Sequence, residues 1–175
     1  MVLEHRSNLW MIIDFQHVKP GKGPAFVRTK LKQILSGKVV EETFRAGEKI
    51  EEVRLERRDY QFLYPDGDFL TFMSLETYEQ ISLPADTLAD IVKYVKVSET
   101  VSMLLREGTP LTVEPPVNVE LEVTQADPGL KGDTAQGATK PATMETGLIV
   151  QVPLFIEVGE VLKIDTRTGK YLGRV

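Results

Sequence analysis

The stretch "LWMIIDFQHVKPGKGPAFVRTKLKQI", residues 9–34, decides how this chain begins to fold. Its flanks are rich in β-branched and aromatic residues and its centre contains glycine and proline, so the pattern predicts two strands joined by a loop. Because a strand places alternate side chains on opposite faces, the second flank has one basic and one apolar face. The basic face carries Arg28, Lys30 and Lys32, and the opposite face carries Val27, Thr29 and Leu31.

The loop between these strands contains Pro20-Gly21-Lys22-Gly23-Pro24, which reads the same in both directions. Glycine on either side of Lys22 allows a sharp turn and a close approach to another surface. The prolines fix φ and lower the entropy lost on ordering. We therefore predict a stiffened cationic finger with Lys22 at its tip, although an ordinary hairpin with an exposed lysine also explains these residues.

The rest of the chain reads mostly as short strands separated by turns, a pattern typical of small β-barrels. The sequence "YPDGDF", residues 64–69, predicts a hairpin because Asp-Gly tolerates the positive φ of a tight turn. One helix is predicted over residues 84–96, because four apolar residues repeat there at helical spacing. These residues are Leu88, Ile91, Val92 and Val95.

Two stretches predict domain boundaries. Residues 45–52, "RAGEKIEE", are polar, and Pro115-Pro116 cannot lie inside a central strand. We therefore expect three small domains, at residues 1–51, 52–114 and 115–175.

Residues 130–143, "LKGDTAQGATKPAT", have the composition of an exposed loop that suits phosphate contacts, and a plain solvated loop fits equally.

The composition restricts the class of protein. There are 42% hydrophobic and 27% charged residues, typical of a globular protein, and there is no cysteine to form disulfides or thiolate sites. No apolar run reaches the length of a membrane helix, and the start does not read as a signal peptide. These features predict a cytoplasmic protein without membrane contact.

Charge is distributed unevenly along the chain. The net charge is −5 overall, but it is +4 over residues 1–50, −1 over residues 51–59, −9 over residues 60–127 and +1 over residues 128–175. Both ends could therefore contact a polyanion, whereas the middle should be repelled by one. Such asymmetry also occurs in proteins where it has no functional meaning.

No enzyme motif is present. The sequence lacks G-x-S-x-G, Walker A, H-E-x-x-H and G-x-G-x-x-G patterns, and His5 and His17 do not form a metal-ligand set. We therefore expect a protein that is not an enzyme, with no catalytic residue, no metal and no cofactor.

Six stretches of the chain, in order, resemble the family of bacterial translation elongation factor P. They are "FQHVKPGKGPAFVRTKL", "TFRAGEKIE", "FLYPDGDFLTFM", "ETYEQISLP", "GDTAQGATKPATMETGLIVQVPLFIEVGE" and "DTRTGKYLGRV". The family's C-terminal signature, K-x-[AV]-x4-G-x2-[LIV]-x-V-P-x2-[LIV]-x2-G, is met from Lys140 to Gly159. The resemblance runs from Leu9 to Val175, nearly the whole chain.

The resemblance implies an all-β fold of three small barrels. An N-terminal SH3-like (KOW-type) domain would precede two OB-fold domains in an L-shaped, tRNA-like outline. It also implies a monomeric factor that binds the 70S ribosome between the P and E sites and promotes peptide-bond formation at consecutive prolines. The partners implied are P-site peptidyl-tRNA, ribosomal RNA and, as a further contact, the E-site mRNA codon.

The resemblance also assigns roles residue by residue. Lys22 would contact the CCA end of peptidyl-tRNA at the tip of its loop. The cations implied to follow an RNA backbone are Lys19, Arg28, Lys30 and Lys32. The third domain would present an RNA-facing loop and two functional C-terminal positions. The loop residues are Gly132, Asp133, Thr134 and Lys140, and the C-terminal residues are Tyr171 and Arg174.

The tip residue is enlarged by modification in many family members, through β-lysylation, an aminopentanol adduct or, on arginine, rhamnose. Some members, largely actinobacterial, carry the same palindrome and act with an unmodified lysine. We hypothesise that Pro20 and Pro24 supply by stiffness what other members obtain through modification.

The resemblance departs at the start of the chain. Family members begin earlier, so "MVLE" resembles the middle of their first strand. We expect either a start upstream of Met1 or a truncated N-terminal strand. His5-Arg6-Ser7-Asn8 stands where the family has an Asp-Gly turn.

Three other interpretations stay open. A paralogous elongation-factor-P-like protein would have a narrower role. A general single-stranded-RNA-binding OB protein would rely on stacking aromatics, which make up only 7% of this chain. A damaged, non-functional copy is suggested only by the short start.

Overall fold

The computed structural model describes residues 1–128 and 137–175. Within them the chain forms three five-stranded sheets and one short helical segment, which confirms the all-β fold. By its internal contacts the chain divides into two compact units, residues 1–57 with 104–112 and residues 58–103 with 113–175.

The first sheet has the strand order β4-β3-β2-β1-β5. Its strands are β1 (Val2–His5), β2 (Asn8–Val18), β3 (Phe26–Gln33), β4 (Val39–Arg45) and β5 (Glu51–Val53). The predicted alternation along β3 is confirmed, because Thr29 and Leu31 are buried whereas the three cations between and beside them are exposed. The buried core consists of Leu3, Leu31 and Phe44, with partly buried Trp10, Ile12 and Val40 packed against it.

Strand β1 lies between β2 and β5, and its turn into β2 has an unusual composition. Arg6 and Ser7 have φ values of 52° and 61°, so both central residues of this two-residue turn are left-handed. This is the conformation of a type I′ hairpin turn, which glycine and asparagine adopt more readily than these residues do. The indole of Trp10 donates a hydrogen bond to the His5 carbonyl at 3.0 Å and fixes the hairpin from one side.

The second sheet has the order β10-β9-β6-β7-β8. Its strands are β6 (Glu56–Asp66), β7 (Phe69–Ser74), β8 (Gln80–Pro84), β9 (Thr100–Arg106) and β10 (Thr109–Glu114). The predicted hairpin is confirmed, but Asp66 pairs with Phe69, so its two loop residues are Gly67 and Asp68 rather than Asp66 and Gly67. A β-bulge between Phe62 and Tyr64 shifts the register of this pair.

The predicted helix over residues 84–96 is wrong in length. Only a 3₁₀ turn, Asp86–Leu88, and one α-helical turn, α1 (Ala89–Val92), are present. No side-chain cap hydrogen bond stabilises the start of either segment, and a helix this short depends on tertiary packing. The apolar spacing was still informative, because Leu88 and Val95 are buried.

The third sheet has the order β13-β12-β11-β14-β15. Its strands are β11 (Asn118–Ala126), β12 (Thr139–Met144), β13 (Ile149–Pro153), β14 (Val161–Asp165) and β15 (Lys170–Arg174). The loop predicted over residues 130–143 is therefore too long, since β12 begins at Thr139. Alternate residues of β11, Val119, Leu121 and Val123, point into a core that contains eleven buried residues in the described part of the chain.

No helix within the described ranges is long and apolar enough to cross a membrane.

Candidate nucleic-acid interface

The finger predicted around Lys22 is a loop between β2 and β3. Val18 pairs with Phe26 and closes the base of the loop. A second tie at the base comes from the Ala46 amide, which donates to the Ala25 carbonyl at 3.0 Å. Lys22 is exposed, so its ammonium group is presented to solvent at the end of a two-stranded stalk.

The two glycines of the palindrome differ in their backbone conformation and in the space around them. Gly23 has a φ of +113°, a conformation that a residue with a side chain rarely adopts. A Cβ atom at Gly23 would lie 3.9 Å from Cγ of Pro20, so the Pro20 ring lies across the loop from Gly23. Apart from the two chain neighbours of Gly21, no described residue has a heavy atom within 4 Å of its Cβ position. The turn is therefore set at Gly23, while Gly21 leaves open space beside Lys22.

The stalk presents the cations that the sequence singled out. Arg28, Lys30 and Lys32 are exposed on the outer face of β3, and Lys19 is exposed where the loop leaves β2. The tip and the stalk cations thus belong to the same hairpin. The side chains on the inner face pack toward the small core of the first sheet.

The RNA-facing residues predicted in the third region are only partly described. Gly132, Asp133 and Thr134 lie outside the described residues. Lys140 is described, and its assignment to an exposed loop is wrong: it lies in β12 and is only 8% exposed. Its ammonium donates to the Asp127 carbonyl at 2.6 Å, because a buried cation needs a hydrogen-bond acceptor. Lys140 therefore holds the end of β11 against the start of β12.

Tyr171 and Arg174 both lie in β15 but have different surroundings. Tyr171 is partly buried and packs against the core of the third sheet. The Arg174 guanidinium donates to Oε1 of Glu160 at 2.9 Å and lies 5.3 Å above the ring of Phe155. The hydrogen bond from Arg174, followed by one from the Glu157 amide, lowers the pKa of Glu160, and the same ion pair raises the pKa of Arg174.

Sequence reasoning missed Asp165, which organises the turn between β14 and β15. Its carboxylate accepts hydrogen bonds from the Arg167 guanidinium at 2.8 Å and from the amides of Arg167 and Thr168 at 2.8 and 3.2 Å. The Arg167 side chain first, and then the two amides, lower the pKa of Asp165 to about 2. The signal was present in "DTRTG", because aspartate often accepts from amides two and three residues ahead.

The described residues contain no group of three or more His, Asp or Glu side chains placed to hold a metal ion.

Comparisons with known proteins match nearly the whole chain. Residues 1–50 match the elongation factor P (EF-P) KOW-like domain, residues 55–113 the elongation factor P (EF-P) OB domain, and residues 119–174 the elongation factor P C-terminal domain. The loop that carries Lys22 lies within the first of these matches.

Individual relatives give the same result. The chain is 57% identical to elongation factor P from Agathobacter rectalis over 100% of its own length and 95% of the relative. It is 53% identical to elongation factor P from Acidothermus cellulolyticus, over 99% of this chain and 93% of that one.

A solved structure supports the fold. Eukaryotic translation initiation factor 5A from Methanococcus jannaschii superposes with a TM-score of 0.52 at 24% identity, covering 65% of this chain and 84% of that one. At this identity the likeness concerns the fold. The domain matches and the two relatives establish more: this chain belongs to the elongation factor P family.

Proposed function

We propose that this chain binds the ribosome between the P and E sites and promotes peptide-bond formation at consecutive prolines. The observation that carries the proposal is the placement of Lys22, exposed at the tip of a loop whose turn is set by Gly23 and crossed by the Pro20 ring. In this proposal Lys22 contacts the CCA end of P-site peptidyl-tRNA. The partners are the 70S ribosome, its RNA, the peptidyl-tRNA and, through the third region, the E-site codon.

The proposed mechanism is positional. Proline is a poor nucleophile when it is the incoming residue and a constrained donor when it ends the peptide. A peptidyl-prolyl-tRNA therefore spends much of its time in geometries that do not react. A cation held rigidly against the CCA backbone would restrict that motion and orient the ester for attack, while the ribosome carries out the chemistry. A cation on a flexible loop would position the ester less effectively, because the loop would itself lose conformational entropy on binding.

The stalk supports the tip in this proposal. Four cations would contact the tRNA backbone, and contacts of this kind with phosphates fix the register and orientation of a protein on a nucleic acid. They are Lys19, Arg28, Lys30 and Lys32. Tyr171 and Arg174 would act in the third region, and Lys140 would act by holding the base of its loop. We further propose that residues 1–51, 52–114 and 115–175 are the three domains and that the chain acts as a monomer in the cytoplasm.

The experiment is synthesis of a triple-proline reporter in a bacterial extract depleted of its own factor. Recombinant protein made without modifying enzymes is compared with Lys22→Ala and with Lys38→Ala, an exposed lysine in another loop of the same sheet. We expect the native chain and Lys38→Ala to restore full-length product and Lys22→Ala to lose about tenfold or more of that stimulation. Equal activity of both variants would refute the role of Lys22.

The stiffness hypothesis needs a separate comparison. A Pro20→Ala/Pro24→Ala double variant keeps Lys22 but gives the loop more conformations to lose on binding. We expect a partial loss, visible as a higher concentration for half-maximal stimulation. An adduct on Lys22, found by intact-mass analysis of protein from its native host, would contradict the idea that stiffness replaces modification.

A further inference from the structure

We propose that Asp14 and Glu41 determine the RNA selectivity of the first sheet, by making the middle of its basic face net negative. This inference rests on the proposed function, in which the same face meets an RNA backbone. It concerns which RNA the face rejects, and the proposed function concerns which RNA it binds.

The strand register places the two carboxylates beside the central cation. Asp14 of β2 pairs with Lys30, and Lys30 pairs on its other side with Glu41 of β4. Directly paired residues of neighbouring strands have Cβ atoms about 5 Å apart, so both acids lie within reach of the Lys30 ammonium. One depression of about 190 Å³ is lined by Asp14, Gln16, Arg28, Lys30 and Glu41.

The two outer cations have neutral cross-strand neighbours instead. Arg28 pairs with Gln16 and Thr43, and Lys32 pairs with Met11 and Val39. Asp14 and Glu41 are only diagonal neighbours of these cations, at about 7–8 Å. The charge along β3 is therefore positive at Arg28, net −1 around Lys30 and positive again at Lys32. The sequence of β3 by itself does not reveal this pattern.

A β-bulge in β2 produces this arrangement. Ile12 pairs with Leu31 and Asp14 pairs with Lys30, so Ile13 is the extra residue without a partner in this register. In a regular ladder Ile13 would stand opposite Lys30, and Asp14 would point to the other face of the sheet. Bulges of this kind re-aim a side chain, and here the result is a carboxylate among the cations.

The pattern discriminates between two kinds of polyanion. Arg28 and Lys32 are four residues apart on one strand, about 13 Å. A backbone held in place elsewhere can bring separate phosphates to these two points. A flexible single strand lays consecutive phosphates along the face and meets the carboxylates between the cations, where like charges repel.

The test measures binding of a fluorescent oligouridine RNA to the full chain at a series of salt concentrations. Asp14→Asn/Glu41→Gln is compared with Glu51→Gln/Glu52→Gln, which makes the same change in net charge at exposed residues of β5. We expect the first variant to bind about fivefold more tightly and with a salt slope steeper by about 0.7 for each added phosphate contact. We expect the control to change by less than about twofold.

The outcomes separate a local effect from a general one. Equal tightening in both double variants would show that only net charge matters and would overturn the proposal, as would no change in the first variant. A thermal melt of each variant checks that the sheet is folded. Because free RNA is the probe, a failure of ribosome stimulation would refute the proposed function without altering this result.

A second measurement addresses Lys30 directly. In the native chain we expect Lys30→Ala to weaken oligouridine binding by less than about twofold, because the Lys30 ammonium lies between two carboxylates that keep phosphates away from it. We expect Arg28→Ala to weaken binding more. In the Asp14→Asn/Glu41→Gln background, Lys30→Ala should weaken binding about as much as Arg28→Ala. The same small effect of Lys30→Ala in both backgrounds would contradict the coupling on which the proposal depends.

Discussion

The first and third sheets each have five strands, yet they differ greatly in how much they bury. Among the described residues, the core cluster of the first sheet has three buried hydrophobic side chains, with Val53 of β5 buried outside it, and that of the third has eleven. Both sheets leave large apolar side chains exposed, such as Phe15 at 69% in the first and Ile149 at 65% in the third, so the difference between them lies in the buried core. The finger with Lys22 therefore stands on the sheet with less buried apolar surface, and its stability depends on few residues.

The turns of the two sheets also differ, and the first sheet again has the less stable arrangement. The β1–β2 turn holds Arg6 and Ser7 at positive φ without glycine, which costs free energy. The β14–β15 turn has glycine at its positive-φ position, Gly169, and a carboxylate, Asp165, that accepts its amides. The comparison teaches that the first sheet is held by packing of a few side chains, whereas the third combines a large core with satisfied turn geometry.

The largest effect should come from removing one core leucine in each sheet. Leu3→Ala and Leu121→Ala each delete a fully buried side chain, at a cost of about 2–5 kcal/mol. Because the first core has so few members, we expect Leu3→Ala to unfold its sheet locally while Leu121→Ala leaves the third sheet folded. Hydrogen exchange followed by mass spectrometry measures protection of β3 and β11 separately in each variant.

The opposite pattern of hydrogen-exchange protection would contradict the view that the first sheet is the less stable one. Loss of protection in β11 of Leu121→Ala, with β3 of Leu3→Ala still protected, would mean that the number of buried side chains does not set the local stability.

A smaller effect should come from adding one methyl group to a glycine of each sheet. Gly169 has a φ of +68°, and its added Cβ would lie 3.1 Å from Oη of Tyr94, so Gly169→Ala introduces both strain and a close contact. We expect it to lower the free energy of unfolding by about 1–3 kcal/mol in a denaturant titration. Gly159→Ala, at φ +91° with open space around its Cβ, is the control for strain without the contact.

Gly23→Ala is the matching change in the first sheet. Its φ of +113° brings strain, but the atom nearest to the added Cβ is 3.9 Å away, so we expect less loss of stability than for Gly169→Ala. Its main effect should be on the triple-proline reporter, because the turn that presents Lys22 changes. If Gly23→Ala keeps full stimulation, the precise shape of the finger is not required.

The smallest effect should be the pH dependence that Asp165 gives to the third sheet. Its pKa falls from an ordinary value of 3.8 to about 2 in the folded chain. A lowered folded pKa means that the stabilisation is complete above the ordinary value and is lost as the pH falls through about 2. We therefore expect Asp165→Asn to be less stable than the native chain at neutral pH and the difference to shrink between pH 4 and pH 2.

Acid titrations of unfolding for both proteins measure this difference. A gap between the native chain and Asp165→Asn that stays constant down to pH 2 would mean that the ionised carboxylate contributes nothing, and the turn would then be held by Gly169 and the strand pairing.

Much of the fold could be predicted from the sequence, because the residue pattern of a strand depends on neighbouring residues in the chain. The alternation of Arg28, Thr29 and Lys30 predicted the two faces of β3, and "YPDGDF" predicted a hairpin. Other elements depended on distant partners. The apolar spacing from Leu88 to Val95 predicted a long helix, but packing of those residues needed only one helical turn. Likewise Lys140 read as a loop cation, because the Asp127 carbonyl that accepts its hydrogen bond is thirteen residues away.

The sequence by itself determined the strand-rich class, the finger with Lys22 and the membership of a family, since each depends on residue types at short spacing. Only the tertiary structure decided which charges stand side by side. The bulge at Ile13 aims Asp14 at Lys30, and the pairing of β3 with β4 adds Glu41 on the other side. The physical reason is that a one-residue shift in register moves every later side chain to the opposite face, and register is set by strand pairing.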